Sequence, residues 1–429
     1  MNRVCLCLPT NRACSATITA LHAEAGYAAD RFGAEVRVLV LDSADDRTRA
    51  AHTRTIAALP ERPGVTVHHL DEERQGAWLR RVIARAGLPE PERALRLMLP
   101  PAVSYGACTN RAFLLAAALG CRSVHRRDSD STYQRHAGEP VFPVHHELPW
   151  LGHPAAEAAP AVTRTDLDPA LAHRPVSLAG ASFIGELSVD IGEIRRLDEA
   201  VYHDVVGLWA PGDWPRDRTR ALVEESFTGA GTAPFTGDHS MLTVVDPMRV
   251  DMCNIAFDRE VYERVPLPPA TDTIGSDYFL LHLVHDARLP GILHNRHIEN
   301  FHTPERRTDT GFPAYQRRFV KFLLSMLYFH HVYDRMADAG DRLLDDRLHI
   351  RPEAVTGLLR ESTGLDRAEN TWRLDRVDTA YRKLGGRYAA FADRLAAERD
   401  ELLDRAAQDV EDHAHLTENW PALVKAARA

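Results

Sequence analysis

The chain has 429 residues, 45% apolar and 26% charged, with a net charge of −9. That is the make-up of a globular protein long enough for about two or three domains and a sizeable core. Acidic and basic residues are interspersed and no basic block occurs, which argues against a nucleic-acid partner. No apolar run approaches the ~18 residues that span a bilayer. Lysine is confined to Lys321, Lys383 and Lys425; with abundant alanine, that bias reads as GC-rich coding rather than a surface for phosphates. The six cysteines, Cys5, Cys7, Cys14, Cys108, Cys121 and Cys253, form no C-x₂-C pair. They read as buried free thiols rather than zinc ligands. The first residues lead directly into a strand without an export signal, so a reduced, cytoplasmic setting is expected.

An apolar strand over Arg3–Thr10 ends in Pro9-Thr10-Asn11-Arg12. A helix is predicted over Ala13–Phe32, stopping at Gly33, followed by a strand over Glu35–Leu41 that ends in Asp42-Ser43. A third strand is expected at Gly64–His69 and a helix at Tyr105–Gly120. Strands alternating with helices predict βαβ units and a parallel sheet, whose ligand crevice lies outside the carboxyl ends of the strands. Asn11, Arg12, Asp42 and Asp128 all fall at such ends. Residues 1–148 thus read as a nucleotide-binding half. The Pro/Ala-rich stretch 149–175 reads as an excursion or lid rather than a regular element, covering a bound donor. Residues 176–312 return to short strands and a helix.

From 313 to 429 the pattern is helical. Phe319, Phe322, Leu323, Met326 and Leu327 follow i, i+3, i+4, i+7, i+8 spacing. This stripe reads as core packing of a helical appendage, with a homodimer contact or an acceptor wall as alternatives.

The most informative stretch is His125-Arg126-Arg127-Asp128-Ser129-Asp130-Ser131. On an extended segment residues i and i+2 share a side, so Asp128 and Asp130 could face one hard cation as oxygen ligands. Magnesium and manganese usually share such a pair with substrate phosphates.

Taken in order, Leu-Pro-Thr-Asn-Arg, Val-Leu-Asp-Ser, Thr-Asn-Arg-Ala and Asp-Ser-Asp resemble the nucleotide-sugar half of GT-A glycosyltransferases. Met252–Val265 (MCNIAFDREVYERV) resembles their acceptor-side segment, Ile274–Leu280 (IGSDYFL) their Gly-Glu-Asp-x-x-Leu helix start, and Asn300–Pro304 (NFHTP) their late histidine. The resemblance spans about residues 1–305 and implies a Rossmann-like mixed sheet flanked by helices, with the helical C-terminal extension beyond it. It implies a metal-dependent, hexosyltransferase-like enzyme that moves a sugar from a nucleoside-diphosphate sugar to a small-molecule or peptide acceptor. Either stereochemical outcome is open. Pro9, Thr10, Asn11, Arg12, Asp42, Asn110, Arg111 and Asp128 would contact the donor. Asn254 would lie on the acceptor side and Asp277 would be the general base. Asp128, Asp130 and His302 would hold Mn²⁺ or Mg²⁺.

Two departures stand out. The strand before the aspartates, normally apolar, carries His125, Arg126 and Arg127, which either disturbs the strand or pairs its arginines with the diphosphate. Ser276 replaces the acidic neighbour of Asp277. A sugar nucleotidyltransferase and a non-catalytic nucleotide- or sugar-binding relic are the alternatives. The first would carry a glycine-rich loop after the opening strand, which Pro9-Thr10-Asn11-Arg12 lacks.

Overall fold

A computed structural model describes residues 2–187, 189, 191–301 and 311–429. Its centre is a nine-stranded mixed sheet flanked by helices. Strands β1 (Arg3–Thr10), β2 (Glu35–Asp42), β3 (Val65–Asp71) and β4 (Ser123–Arg127) run parallel in the order β3-β2-β1-β4. The register pairs Arg3 with Glu35 and Thr10 with Asp42, so β1 and β2 end together and their loops open on one edge.

Helices cover both faces, so β1 is apolar and buried from Val4 to Leu8. Val4, Leu6 and Leu8 face the layer that contains Ile18 and Leu21; Cys5 and Cys7 face the opposite one with Phe113 and Leu114. That is the two-residue period of a strand. Helix α1 (Ser15–Phe32) ends on Gly33, whose φ of +62° lies in the left-handed region and whose N–H caps the Ala29 carbonyl. The sequence-predicted α1, β1 and β2 are thus present within a residue or two.

Beyond β4 the sheet is mixed, with antiparallel pairs interspersed with parallel ones. Asn254–Asp258 pairs with β4 and with Leu178–Gly180, and Gly291–His294, Ser240–Thr243 and Arg164–Thr165 complete that edge. A three-stranded sheet of Phe183–Gly185, Ile298–Asn300 and Ser131–Tyr133 sits immediately after Asp130.

Two expectations change here. Residues 149–175 carry regular elements: a helical turn at Ala155–Ala158 and the edge strand Arg164–Thr165. Leu151, Ala155 and Ala158 pack on Ala179, Leu242, Ala256 and Ile292 of the mixed half of the sheet, so this excursion is anchored by apolar burial. Residues 192–225 hold three helices, Gly192–Leu197, Glu199–Val206 and Arg216–Glu225, that strand-and-helix alternation did not anticipate.

The C-terminal region is helical from Gly311, but it is no appendage. The long helix Gly311–Ala339 and the C-terminal helix Arg399–Arg428 share one continuous core with the sheet. Trp420, fully buried, donates its indole N–H to the Tyr262 carbonyl at 3.0 Å, and Arg85 donates to the Ala426 carbonyl at 2.8 Å. The predicted stripe of Phe319, Phe322, Leu323 and Met326 is buried inside the chain. No described helix is long and apolar enough to cross a membrane.

Candidate functional site

Two cavities meet at the carboxyl ends of β1 and β4. The more polar, about 370 Å³, is walled by Pro9, Thr10, Asn11 and Arg12 after β1, by Ser43 after β2, and by Ser104, Tyr105 and Arg111 of helix α5 (Tyr105–Ala118) and its cap. The second, about 180 Å³, is mostly apolar, with Phe183, Trp209, Phe227, Phe322 and Met326 around it. Tyr105, Arg126, Asp128 and Asp130 line both.

The junction is built by β4. Its five residues are all buried, yet three are ionisable, and each is matched to a specific acceptor. Arg127 donates to Glu24 and Glu147, both at 2.8 Å, and His125 pairs with Glu147 at 2.7 Å. This is a closed interior network behind the sheet. Arg126 points the other way and forks: Nη1 donates to Asp277 Oδ2 at 2.8 Å and Nη2 lies 3.0 Å from Asp128 Oδ1. The strand is therefore regular, and its arginines meet carboxylates of the protein.

Asp128 and Asp130 lie on the turn that follows β4 rather than on an extended segment. Arg12 donates to Asp130 at 2.7 Å. Burial pushes the Asp128 carboxyl up to about 6; Arg126 opposes the shift, and the neighbouring Asp130, Asp277 and Asp251 add to it. Burial also raises Asp277, again against Arg126. Two guanidiniums, Arg126 and Arg12, thus serve four carboxylates, a group that still favours added positive charge. Hard oxygen donors in an electronegative, partly enclosed turn suit Mg²⁺ or Mn²⁺. His302, the expected third ligand, lies outside the described residues.

The polar cavity suits an anion. Ser104 caps α5 by accepting the Ala107 N–H at 3.1 Å, and the start of this 14-residue helix lines the cavity. Arg111 is buried, donating to Gln75 Oε1 at 2.6 Å and the Met98 carbonyl at 2.7 Å. Among the described residues it has no carboxylate in ion-pair contact.

The remaining sequence-predicted residues separate into cavity wall and scaffold. Pro9, Thr10, Asn11 and Arg12 are wall residues. Asp42 is not: it is fully buried, accepting from His52 and His69, both at 2.8 Å, and from the Ala44 N–H. Those two histidines hold Asp42 at about 2 against its burial, and its flanking residues Leu41 and Ser43 face the cavity instead. Asn110 clamps Leu267, giving its amide N–H to the carbonyl and taking the backbone N–H, both at 2.8 Å. Asn254 bridges the carbonyls of Ser182 and Arg296 at 3.0 Å. Both are polar pins inside the fold and belong to neither cavity wall.

Asp277 is the middle residue of a 3-10 turn, Ser276–Tyr278, that feeds the helix Phe279–Asp286. The turn starts on Gly275 at φ +70°, where a Cβ would meet the Phe322 ring at 2.8 Å. Sequence reading missed Asp251, Tyr278 and Arg318 as wall residues. Arg318 carried a signal, since it lies beside the apolar stripe; Asp251, in a loop, carried none.

Two further carboxylate–histidine groups are closed to a cation. In Asp42–His52–His69, His52 Nε2 accepts the Cys14 N–H at 3.1 Å, so the ring proton is on Nδ1 and is donated to Asp42. In His145–His146–Asp238, Arg296 already holds both oxygens of Asp238, at 2.6 and 2.9 Å.

Among solved structures, the chain is similar to the mannosyltransferase PcManGT from Pyrobaculum calidifontis in complex with GDP-Man and Mn²⁺. The identity is 13% over 97% of this chain and 86% of that one, with a TM-score of 0.38. Residues 1–349 of S. aureus TarS in complex with UDP are 12% identical over 97% and 90%, with a TM-score of 0.35. Mouse xyloside xylosyltransferase 1 in its apo form is 12% identical over 66% and 74%, with a TM-score of 0.22. No curated protein matches the chain. The model of the family described as "Family of unknown function (DUF6271)" matches residues 2–429, and the chain belongs to that family.

Proposed function

We propose that this chain is a glycosyltransferase that moves a sugar from a nucleoside-diphosphate donor to an acceptor, at the junction of the two cavities. One observation carries the reading: Arg126, Asp128 and Asp130 line both the polar and the apolar cavity. A single constellation thereby touches the place for a charged donor and the place for a second substrate. The ordered likeness to GT-A segments supports the same assignment.

In this reading the polar cavity takes the nucleoside diphosphate. Arg111, the start of α5 and Arg12 meet its phosphates, and Pro9 to Asn11 meet the nucleoside. Asp128 and Asp130, with His302, would hold Mn²⁺ or Mg²⁺, which when bound supplies positive charge for the departing diphosphate. The acceptor enters from the apolar cavity. Its nucleophilic oxygen forms a bond to the anomeric carbon as the carbon–oxygen bond to the diphosphate breaks, and its proton passes to Asp277. Arg126 orients Asp277 by their 2.8 Å contact.

The test is a panel of nucleotide sugars with Mn²⁺, read by calorimetry and by released nucleotide. A transferase liberates nucleoside diphosphate, a nucleotidyltransferase pyrophosphate, and a relic neither. Asp130→Ala should abolish metal-dependent nucleotide binding, whereas Asp277→Asn should bind nucleotide as wild type does but lose transfer. Equal loss of nucleotide affinity in both variants would remove Asp277 from the acceptor side.

A further inference from the structure

The apolar cavity is specific enough in shape and charge to define what it takes. Its side walls are Trp209, Phe227, Phe322 and Met326, contributed by the 3-10 turn Gly207–Trp209, by the turn after the helix Arg216–Glu225 and by the long helix Gly311–Ala339. At about 180 Å³, it is close to the ~150 Å³ that holds one benzene-sized ring in an apolar protein interior. One ring fills such a volume.

The rest of its wall is acidic. Asp128, Asp130, Glu225, Asp251 and Asp277 line it, and Arg126 is the one guanidinium or ammonium on its wall among the described residues. Arg126 is already divided between Asp128 and Asp277. Asp251 is left with neutral donors, the Tyr278 hydroxyl on Oδ2 and the Cys253 N–H on Oδ1 at 2.9 Å, although it is only 9% exposed. His282, also on the wall, is held down at about 3 by burial and is neutral at pH 7. Filling this cavity with a neutral apolar molecule would strip water from Asp251 and leave its charge without a counter-ion, which is costly. Filling it with an anion would be worse. A cationic head on an apolar body satisfies both ends.

We propose that the apolar cavity is a binding site for a single-ring molecule that carries a protonated amine, its ring against Trp209, Phe227 and Phe322 and its ammonium at Asp251. As the site of the acceptor this rests on the transferase reading; as a binding site it does not. Aromatic walls favour the ring of such a ligand through apolar burial and ring–ring contact, and the carboxylate favours its ammonium.

Three probes share one ring and differ in the head: tyramine, 4-ethylphenol and 3-(4-hydroxyphenyl)propionate. Their affinities at pH 7 for the full chain, measured by calorimetry without nucleotide, decide the question. Tyramine should bind at least tenfold more tightly than 4-ethylphenol, and the propionate should bind most weakly. Asp251→Asn should bring tyramine to the level of 4-ethylphenol and leave 4-ethylphenol unchanged, while Phe322→Ala should weaken both. Equal affinity of the three probes in the wild-type chain overturns the inference, with no variant needed. A tyramine preference in a protein that binds no nucleotide would support this site while sinking the transferase reading. Nucleotide binding and turnover without any head-group preference would sink the site alone.

Discussion

Two buried guanidiniums on the wall of the polar cavity have opposite electrostatic settings. Arg126 is ion-paired with Asp128 and Asp277, while Arg111 rests on two neutral acceptors. Removing one partner from a buried ion pair leaves the other charge uncompensated, at about 3–5 kcal/mol. Arg126→Met should therefore destabilise the chain by roughly that amount, as read by denaturant unfolding, because it strands two carboxylates. Arg111→Gln removes a cation that has no anion of its own. Its stability loss should stay within the ~1–3 kcal/mol of a buried acceptor left without its donor, below that of Arg126→Met, while nucleoside-diphosphate affinity falls about tenfold or more, the worth of one charged hydrogen bond. If the two variants lose stability equally, the electrostatic distinction between them is wrong. Neither setting was legible in the sequence. Position 126 read as an oddity in an apolar strand because its partners lie 2 and 151 residues away, and only the fold brings 277 to it.

At the scale of elements, legibility followed periodicity. The parallel strands β1 and β2 and helix α1 announced themselves by continuous apolar runs, helical composition between them and the stop at Gly33. The Asp128–Asp130 turn did not, because a two-residue alternation also fits a short bend whose carboxylates are held by Arg12 and Arg126. Asp42 was misjudged for a related reason. A strand end predicts proximity to a cavity but not the direction of one side chain, and His52 and His69 pull this one inward.

One element pairing carries its own pH dependence. Asp286 closes the helix Phe279–Asp286, where the helix dipole disfavours a carboxylate. Its Oδ2 is buried without a hydrogen-bond partner. Burial, with Asp334 of the long helix adding repulsion, pushes it up to about 7. A folded-state value above the ordinary 3.8 means the folded chain holds this proton more tightly than the unfolded one. The contribution is favourable below about pH 4 and is lost as pH rises through about 7. Asp286→Asn does not titrate, so its Tm should exceed wild type by an increment that grows between about pH 4 and 7 and then levels off. A thermal-melt series over that range tests it; a constant Tm difference would show that Asp286 is not the titrating group.

Over the whole molecule, the helical C-terminal region decides more than its sequence suggested. A heptad-like stripe in a charged stretch looks the same whether it covers a partner, a second copy or its own chain. Here the stripe is spent inside the chain, and the same helix adds Phe322 and Met326 to one cavity and Arg318 to the other. The C-terminal helix packs on α5 and on the helix Glu72–Ala86, which themselves back the parallel sheet. Removing it would expose Phe113, Leu79 and Ile83 of one shared core. A chain cut to residues 1–310 should therefore fail to give a cooperative melt, rather than behave as a free nucleotide-binding domain. Within the intact chain, Trp420→Ala removes the largest fully buried side chain and its hydrogen bond to Tyr262, and should cost about 3–5 kcal/mol. If the shortened chain instead unfolds in one sharp transition at the wild-type Tm, the helical region is a separate domain. In that case the Arg318 and Phe322 walls would be contacts between two units rather than parts of one site.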